Sequence, residues 1–373
     1  RRREVDDFSH EVMDAMSGCL ACKACASQCP IKVDVPSFRS RFMQLYYSRY
    51  PRPIKDHLVA NIENLLPLMA KAPRLVNAAT QPQWAQGITA KWIGYTDTPA
   101  LSVPTLKQSL ADDHALKFDL GWLQALSAEE RENYVLIVQD PFYEAPLIQD
   151  LVKLARRLGK VPMLVPFKPN GKAQHVKGFL RRFAQTARNT AGFLNQLAAL
   201  NIPMVGVDPA LVLCYRDEYQ EALGRHRGDF NVLLSHEWLT NVLPSLPAKA
   251  EHTPEPWYLF GHCTEKTQLP YAEQQWVDLF AHFGALLKPV SVGCCGMAGT
   301  YGHEADKRDT SEAIYDLSWA PKLANLPKAR VVATGYSCRS QVKRFSEAQL
   351  LHPLQVLLRL AYTRTDLAHS GNV

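Results

Sequence analysis

Hydrophobic and polar residues follow two rhythms along this chain, helical at first and then α/β. Val5, Phe8, Val12, Met13 and Met16 fall at helical spacing over residues 5–17, and Gly18 is a stop. After Pro30, Asp34 can cap and Pro36 can open a helix over 36–49. Residues 51–115 keep a helical rhythm, broken by Pro51, Pro53, Pro67, Pro73, Pro82, Pro99 and Pro104. Trp84, Trp92 and Tyr95 are expected to pack these helices together. The stretch shows no chemistry of its own and reads as a linker or a docking surface for another domain.

From residue 134 short apolar runs alternate with amphipathic helices, the mark of α/β units. Strands are expected at 135–138, 163–165 and 203–207. A helix over 147–158 ends at Gly159, and the loop 166–178 leads into a long helix reaching about Leu200. The order then recurs. Strands are expected at 257–260, 290–292 and 330–333, with a helix over 273–283 ending at Gly284, a loop over 293–304 and a helix through Trp319. The expected architecture is therefore multi-domain, α and α/β. A helical part (1–133) precedes two copies of one α/β unit (134–249 and 250–373).

Composition narrows the function. A net charge of +6 over 373 residues, 47% hydrophobic, is that of a globular protein, and no aromatic-interleaved basic patch points to nucleic acid. No apolar run has transmembrane length and no signal-peptide pattern is present, so the expected location is the cytoplasm or the periphery of the inner membrane. The chain begins Arg1-Arg2-Arg3 without methionine and is expected to be a fragment of something longer. Eight of its nine cysteines sit in motifs, which reads as metal ligation in a reducing compartment rather than as disulfides.

Cys19, Cys22, Cys25 and Cys29 are spaced C-x2-C-x2-C-x3-C and followed by Pro30. This is the run that ligates a [4Fe-4S] cluster in bacterial ferredoxins, and a cysteine loop between two helices suits an all-helical ferredoxin-like module. Tetrahedral zinc and a redox dithiol are the rivals. The second set lies at three expected strand ends of the second α/β copy: Cys263, the vicinal pair Cys294 and Cys295 between Gly293 and Gly296, and Cys338. Ligands bind at the carboxyl ends of parallel strands, so these four are candidate ligands of a second cluster, with zinc behind it. Four thiols packed as small hydrophobes are the alternative. Gly299 and Gly302 suggest close approach to a cofactor or another chain. His262 and His303 flank the set as ligands, proton-transfer groups or hydrogen-bonding supports.

The matching places of the first copy read Gln139-Asp140-Pro141, Lys168-Pro169-Asn170-Gly171 and Asp208-Pro209-Ala210-Leu211, without cysteine. That copy is expected to serve packing only. Its loop 170–178, leading to Arg181 and Arg182, reads as a contact for an anionic substrate or an acidic partner, or as a solvated basic loop. Cys214 reads as a core residue.

The C-x2-C-x2-C-x3-C-P run followed by C…CCG…C resembles iron–sulfur proteins with cysteine-rich CCG domains. Those include the iron–sulfur components of anaerobic glycerol-3-phosphate dehydrogenase, glycolate oxidase and heterodisulfide reductase. Residues 15–25, 169–175, 207–219 and 293–304 are more similar still to the C-terminal part of the bacterial FAD-linked D-2-hydroxyglutarate dehydrogenases. That resemblance implies an FAD domain outside this chain that oxidises a D-2-hydroxy acid, and an iron–sulfur part that passes electrons to a quinone or an electron-transfer protein. No residues of this chain are expected to bind FAD or to be catalytic, and a homo-oligomer is an open expectation. The resemblance also implies two departures. Such modules usually carry two cysteine runs whose fourth cysteines are exchanged, so Cys29 can serve another cluster than Cys19, Cys22 and Cys25. Relatives with an active CCG site can have a further cysteine near the last strand, where Cys338 stands alone. Two other functions remain open from the residues: a CCG site that itself reduces a disulfide or quinone, and a docking scaffold held by structural metal.

Overall fold

The computed structural model describes residues 7–111, 117–138, 142–245 and 253–361. The expectations placed on Val5 and on Gln139, Asp140 and Pro141 lie outside these residues.

The first part is helical. Helix Ser9–Ser17 leads into the cysteine run, and helix Val35–Tyr46 leaves it. Asp34 caps the second helix by accepting from the Ser37 N–H, and proline fills its first turn, where no N–H is missed. Helices Ile54–Met69, Pro73–Thr80 and Gln83–Trp92 follow. Pro67 does not break its helix. It lies in the last turn of Ile54–Met69, so the chain stops two residues later. The tryptophans do not pack these helices. Helix Gln83–Trp92 buries Ala85 and leaves Trp84 67% and Trp92 78% exposed. Tyr95 is half-buried and bridges to Glu304 of the second α/β unit.

Two parallel sheets follow. β1 (Tyr134–Ile137), β2 (Val161–Leu164), β3 (Met204–Gly206) and β4 (Val232–Leu234) form one, in the order β2-β1-β3-β4. β5 (Thr253–Phe260), β6 (Ala285–Pro289) and β7 (Val331–Ala333) form the other, in the order β6-β5-β7. The first strand of each unit is thus flanked by its second and third, with β4 added at one edge. The segment 290–292 is not a strand. Helix Ala272–His282 gives way at Gly284, in the left-handed region at φ +75°, and the chain passes straight into β6. Val290–Val292 then belongs to the loop that carries the cysteine pair.

Each unit has a core of its own, and one further hydrophobic core runs through both. Val135 and Ile137 of β1 and Val205 of β3 share it with Leu259 of β5, Leu287 of β6 and Val332 of β7. Helix Ala145–Arg157 packs on helix Pro353–Ala361 across the join. Each buried leucine or valine contributes about 1.5–3 kcal/mol of burial, so the shared cluster holds the two units together.

Candidate functional site

Cys19, Cys22, Cys25 and Cys29 are half-buried free thiols. The backbone curls round them through left-handed Ala21 (φ +52°) and Lys23 (φ +59°), a conformation that non-glycine residues adopt at a cost. The short helix Ala24–Gln28 then presents Cys25 and ends at Cys29. N–H groups point at the sulfurs. Those of Val33, Ile31 and Lys32 hold the Cys29 thiol below its ordinary pKa. Burial pushes Cys22 up, against the N–H of Ala24. A curled loop aiming N–H donors at thiol sulfurs fits thiolates that carry an iron–sulfur cluster, whose charge such donors offset.

Lys23, between Cys22 and Cys25, points inward. Its ammonium is 3.4 Å from both Asp34 and Glu218 and also pairs with Asp217. Glu218 pairs in turn with Lys172. Burial raises the Glu218 pKa, but the Lys172 and Lys23 charges outweigh it and hold the carboxyl at about 2. The cysteine loop is therefore pinned to the first α/β unit by a buried charge network. That unit does more than pack: its Asp217, Glu218 and Lys172 supply the counter-charges that hold the cysteine loop.

The loop 170–178 is largely interior rather than solvated, whereas Arg181 and Arg182 beyond it are exposed. Asn170, Gln174, His175 and Lys177 are buried. Lys177 sits 2.9 Å from Asp56 and 2.7 Å from Glu304, joining the helical part to both units. Burial takes His175 down to about 4. Cys214 lies fully buried in the core, as its apolar setting implied.

Cys263, Cys294, Cys295 and Cys338 do converge. Cys263 opens helix Cys263–Gln268 after β5, the pair follows β6, and Cys338 lies in helix Tyr336–Ser346 after β7. Their thiols neighbour one another in turn, Cys263 to Cys294 to Cys295 to Cys338. For Cys294 the Cys263 thiol lowers the pKa, while the Cys295 thiol and burial carry it to about 12. Gly296 has φ +89°, and a Cβ there would stand 2.2 Å from the Ser311 carbonyl oxygen. Gly293 has no such constraint. Gly302 approaches Ser311 and Met297 of this same chain, and Gly299 faces open space at the cavity described below. Among the described residues, no three His, Cys, Asp or Glu side chains gather closely enough to hold a single metal ion.

The flanking histidines part ways. His303 is buried and its Nδ1 lies 3.2 Å from the Thr96 carbonyl oxygen, which ties it to the helical part; burial lowers it to about 4. His262 is buried against Gly335, and its Nδ1 has no partner among the described residues.

Between the two thiol sets lies a cavity of about 300 Å3. Leu20 and Cys22 border it from the cysteine run, Glu63 and Leu66 from helix Ile54–Met69, and Asp208 and Cys263 from the two sheets. Helices Ala24–Gln28 and Cys263–Gln268 touch, which brings Cys22 near Cys263. Glu63 and Lys23 belong to this site and were not singled out by sequence. A lone charge has no period. The available signal was a glutamate inside the apolar run Ile62–Leu66 and a lysine inside the cysteine run.

No family model and no solved structure matches the chain. It is 57% identical over 357 residues to D-2-hydroxyglutarate dehydrogenase of Escherichia coli (strain K12), covering 95% of this chain and 35% of that protein. The identity to D-2-hydroxyglutarate dehydrogenase of Pseudomonas putida is 45%, over 97% of this chain and 36% of that protein. One component of the anaerobic glycerol-3-phosphate dehydrogenase of Escherichia coli (strain K12) is 24% identical, over 63% of this chain and 62% of that protein. The chain thus spans about a third of the length of the D-2-hydroxyglutarate dehydrogenases it matches.

Proposed function

We propose that this chain is the iron–sulfur electron-transfer portion of a flavin-dependent D-2-hydroxy-acid dehydrogenase, with D-2-hydroxyglutarate as the acid. The observation that carries the reading is that one cysteine of each set, Cys22 and Cys263, borders a common cavity although the sets lie far apart in sequence. Similarity to D-2-hydroxyglutarate dehydrogenases over 95% of the chain supports the substrate. Cys19, Cys22, Cys25 and Cys29 would hold a [4Fe-4S] cluster, and Cys263, Cys294, Cys295 and Cys338 a second. Such clusters accept and release electrons one at a time. The protein's own part is to fix and insulate. Lys23 anchors the first loop, Gly296 lets the vicinal pair turn, and the shared core keeps both sets in place. The flavin, the acid pocket and the first electron donor are assigned to a partner domain outside this chain. The final acceptor is assigned to a quinone or an electron-transfer protein.

The test is the iron, acid-labile sulfide and zinc content of full-length protein purified without oxygen, beside Cys22→Ser and Cys295→Ser. The expected result is roughly four irons per filled cubane, with separate losses in the two variants. Iron lost only in Cys22→Ser would confine the cluster to the first set. Zinc without sulfide would overturn the electron-transfer reading.

A further inference from the structure

Of the groups that the electron-transfer reading leaves unused, the cavity between the thiol sets carries the most information about a ligand. Its volume, about 300 Å3, lies at the lower end for small-molecule sites and suits a headgroup of one or two rings. Leu66, Phe167, Val207, Leu211 and Met297 make much of its wall apolar. Tyr143 and Tyr336, one from each α/β unit, bring their rings to 6.1 Å at an interplanar angle of 28° on the same wall.

The charged groups on the wall are largely engaged. Lys172 pairs with Glu218, and Glu144 pairs with Arg339. Glu63 accepts the Gly171 N–H at 2.7 Å. Asp208 accepts from the N–H groups of Ala210 and Leu211, and Lys168 lies over the ring of Phe193. A carboxylate ligand would have to break one of these pairings to be neutralised. An uncharged ligand enters without that loss.

Two polar atoms on the wall are left over. Asn170 is 3% exposed and its Oδ1 has no partner among the described residues, while its Nδ2 is held by the Leu211 carbonyl oxygen. His262 is 6% exposed and its Nδ1 has no partner among them either. A buried polar atom left unbonded is destabilising, and a ligand that bonds it removes that loss. Both residues border the cavity that Cys22 and Cys263 also border.

We propose that this cavity is a binding site for a quinone, a flat, uncharged acceptor of two electrons. A carbonyl oxygen of the quinone can accept from the His262 ring, and a hydroxyl of the quinol can donate to Asn170 Oδ1. Conversion of quinone to quinol takes up two electrons and two protons, turning each C=O into C–OH. The electrons originate in the hydroxy-acid oxidation of the longer protein, and the protons come from water. The redox role rests on the electron-transfer reading above; the binding does not.

Equilibrium dialysis of full-length, oxidised protein against duroquinone tests the site, beside Ala173→Phe and Ala210→Phe. These two substitutions fill the cavity from different helices, so at least one independent measure survives if the other fails to fold. The expected result is saturable binding that each folded variant weakens by about tenfold or more, with iron content unchanged and no competition from D-2-hydroxyglutarate. No saturable binding, or binding that both filled variants retain, would overturn the proposal. So would iron lost together with the quinone, because the cavity would then be space that the cluster itself fills. Displacement by D-2-hydroxyglutarate would overturn the uncharged-ligand argument. Dialysis reads the site whether or not iron is bound, so absence of a cluster counts against the electron-transfer reading alone.

Discussion

Glu218 shows how much a single side chain carries at the junction of cysteine loop and first α/β unit. It is almost wholly buried and held ionised by Lys172 and Lys23. Its carboxyl is depressed from 4.5 to about 2. A depressed acid contributes stability that is complete above the unfolded value and is lost as pH falls through the folded one. The contribution of Glu218 is therefore whole above about pH 4.5 and fades towards pH 2. Urea midpoints of wild type and Glu218→Gln should lie well apart at neutral pH, wild type higher, and converge over that window. Parallel curves would show that the lysines do not act through Glu218. At this scale the sequence was legible wherever chemistry comes as a pattern. The cysteines were found by spacing, and Cys214 was read as core from its apolar setting. Lys23, Glu63 and Glu218 were not found, because each is defined by partners from distant segments and no spacing marks such a residue.

The loop after β6 shows what the elements demand of their glycines. At Gly296 any Cβ would meet the Ser311 carbonyl at 2.2 Å in a left-handed backbone, and neither can yield without shifting helix Arg308–Ala324. At Gly293 the nearest contact would be the Ser318 Oγ at an ordinary 3.5 Å. Gly296→Ala should cost about 2 kcal/mol or more. Gly293→Ala should stay within about 0.5 kcal/mol, as surface changes do. Thermal or urea unfolding of the pair measures this, and equal losses would refute the account. The elements themselves were legible where periodicity was strong: helices 145–157 and 272–282 were read to within two residues or so at each end. β4 was missed because three residues show no alternation. β6 was placed five residues late, because Ala285-Leu286-Leu287 follows a helix with little but Gly284 between, whereas Val290 and Val292 carry the β-branched signature. The buried place of loop 170–178 was not legible either, since its lysines find their carboxylates on residues 56, 218 and 304.

The whole molecule is governed by the core that both sheets share. Each α/β copy has a core of its own, and a further core spans the join between them. With Val135, Val205, Leu259 and Val332 in one cluster, residues 134–361 should unfold in a single transition. Calorimetry with fluorescence of the buried Trp276 and Trp319 as a second probe checks this, and two resolved transitions would contradict it. The surface is uneven. Most large exposed apolar side chains, among them Ile31, Leu68, Leu75, Trp84 and Trp92, belong to the helical part before residue 93. No helix among the described residues is long and apolar enough to cross a membrane.

The join between the two units has a further consequence, one of stoichiometry. The chain is a heterodimer written on one polypeptide: one member contributes thiols, the other the counter-charges that seat the remaining thiols. A true dimer would come apart on dilution, and its members would have to meet before the site existed. Here their effective concentration is fixed by covalent continuity and by a packed interface. The placement of Cys22 beside Cys263 is therefore independent of protein concentration, the same in a dilute extract as in a crowded cell.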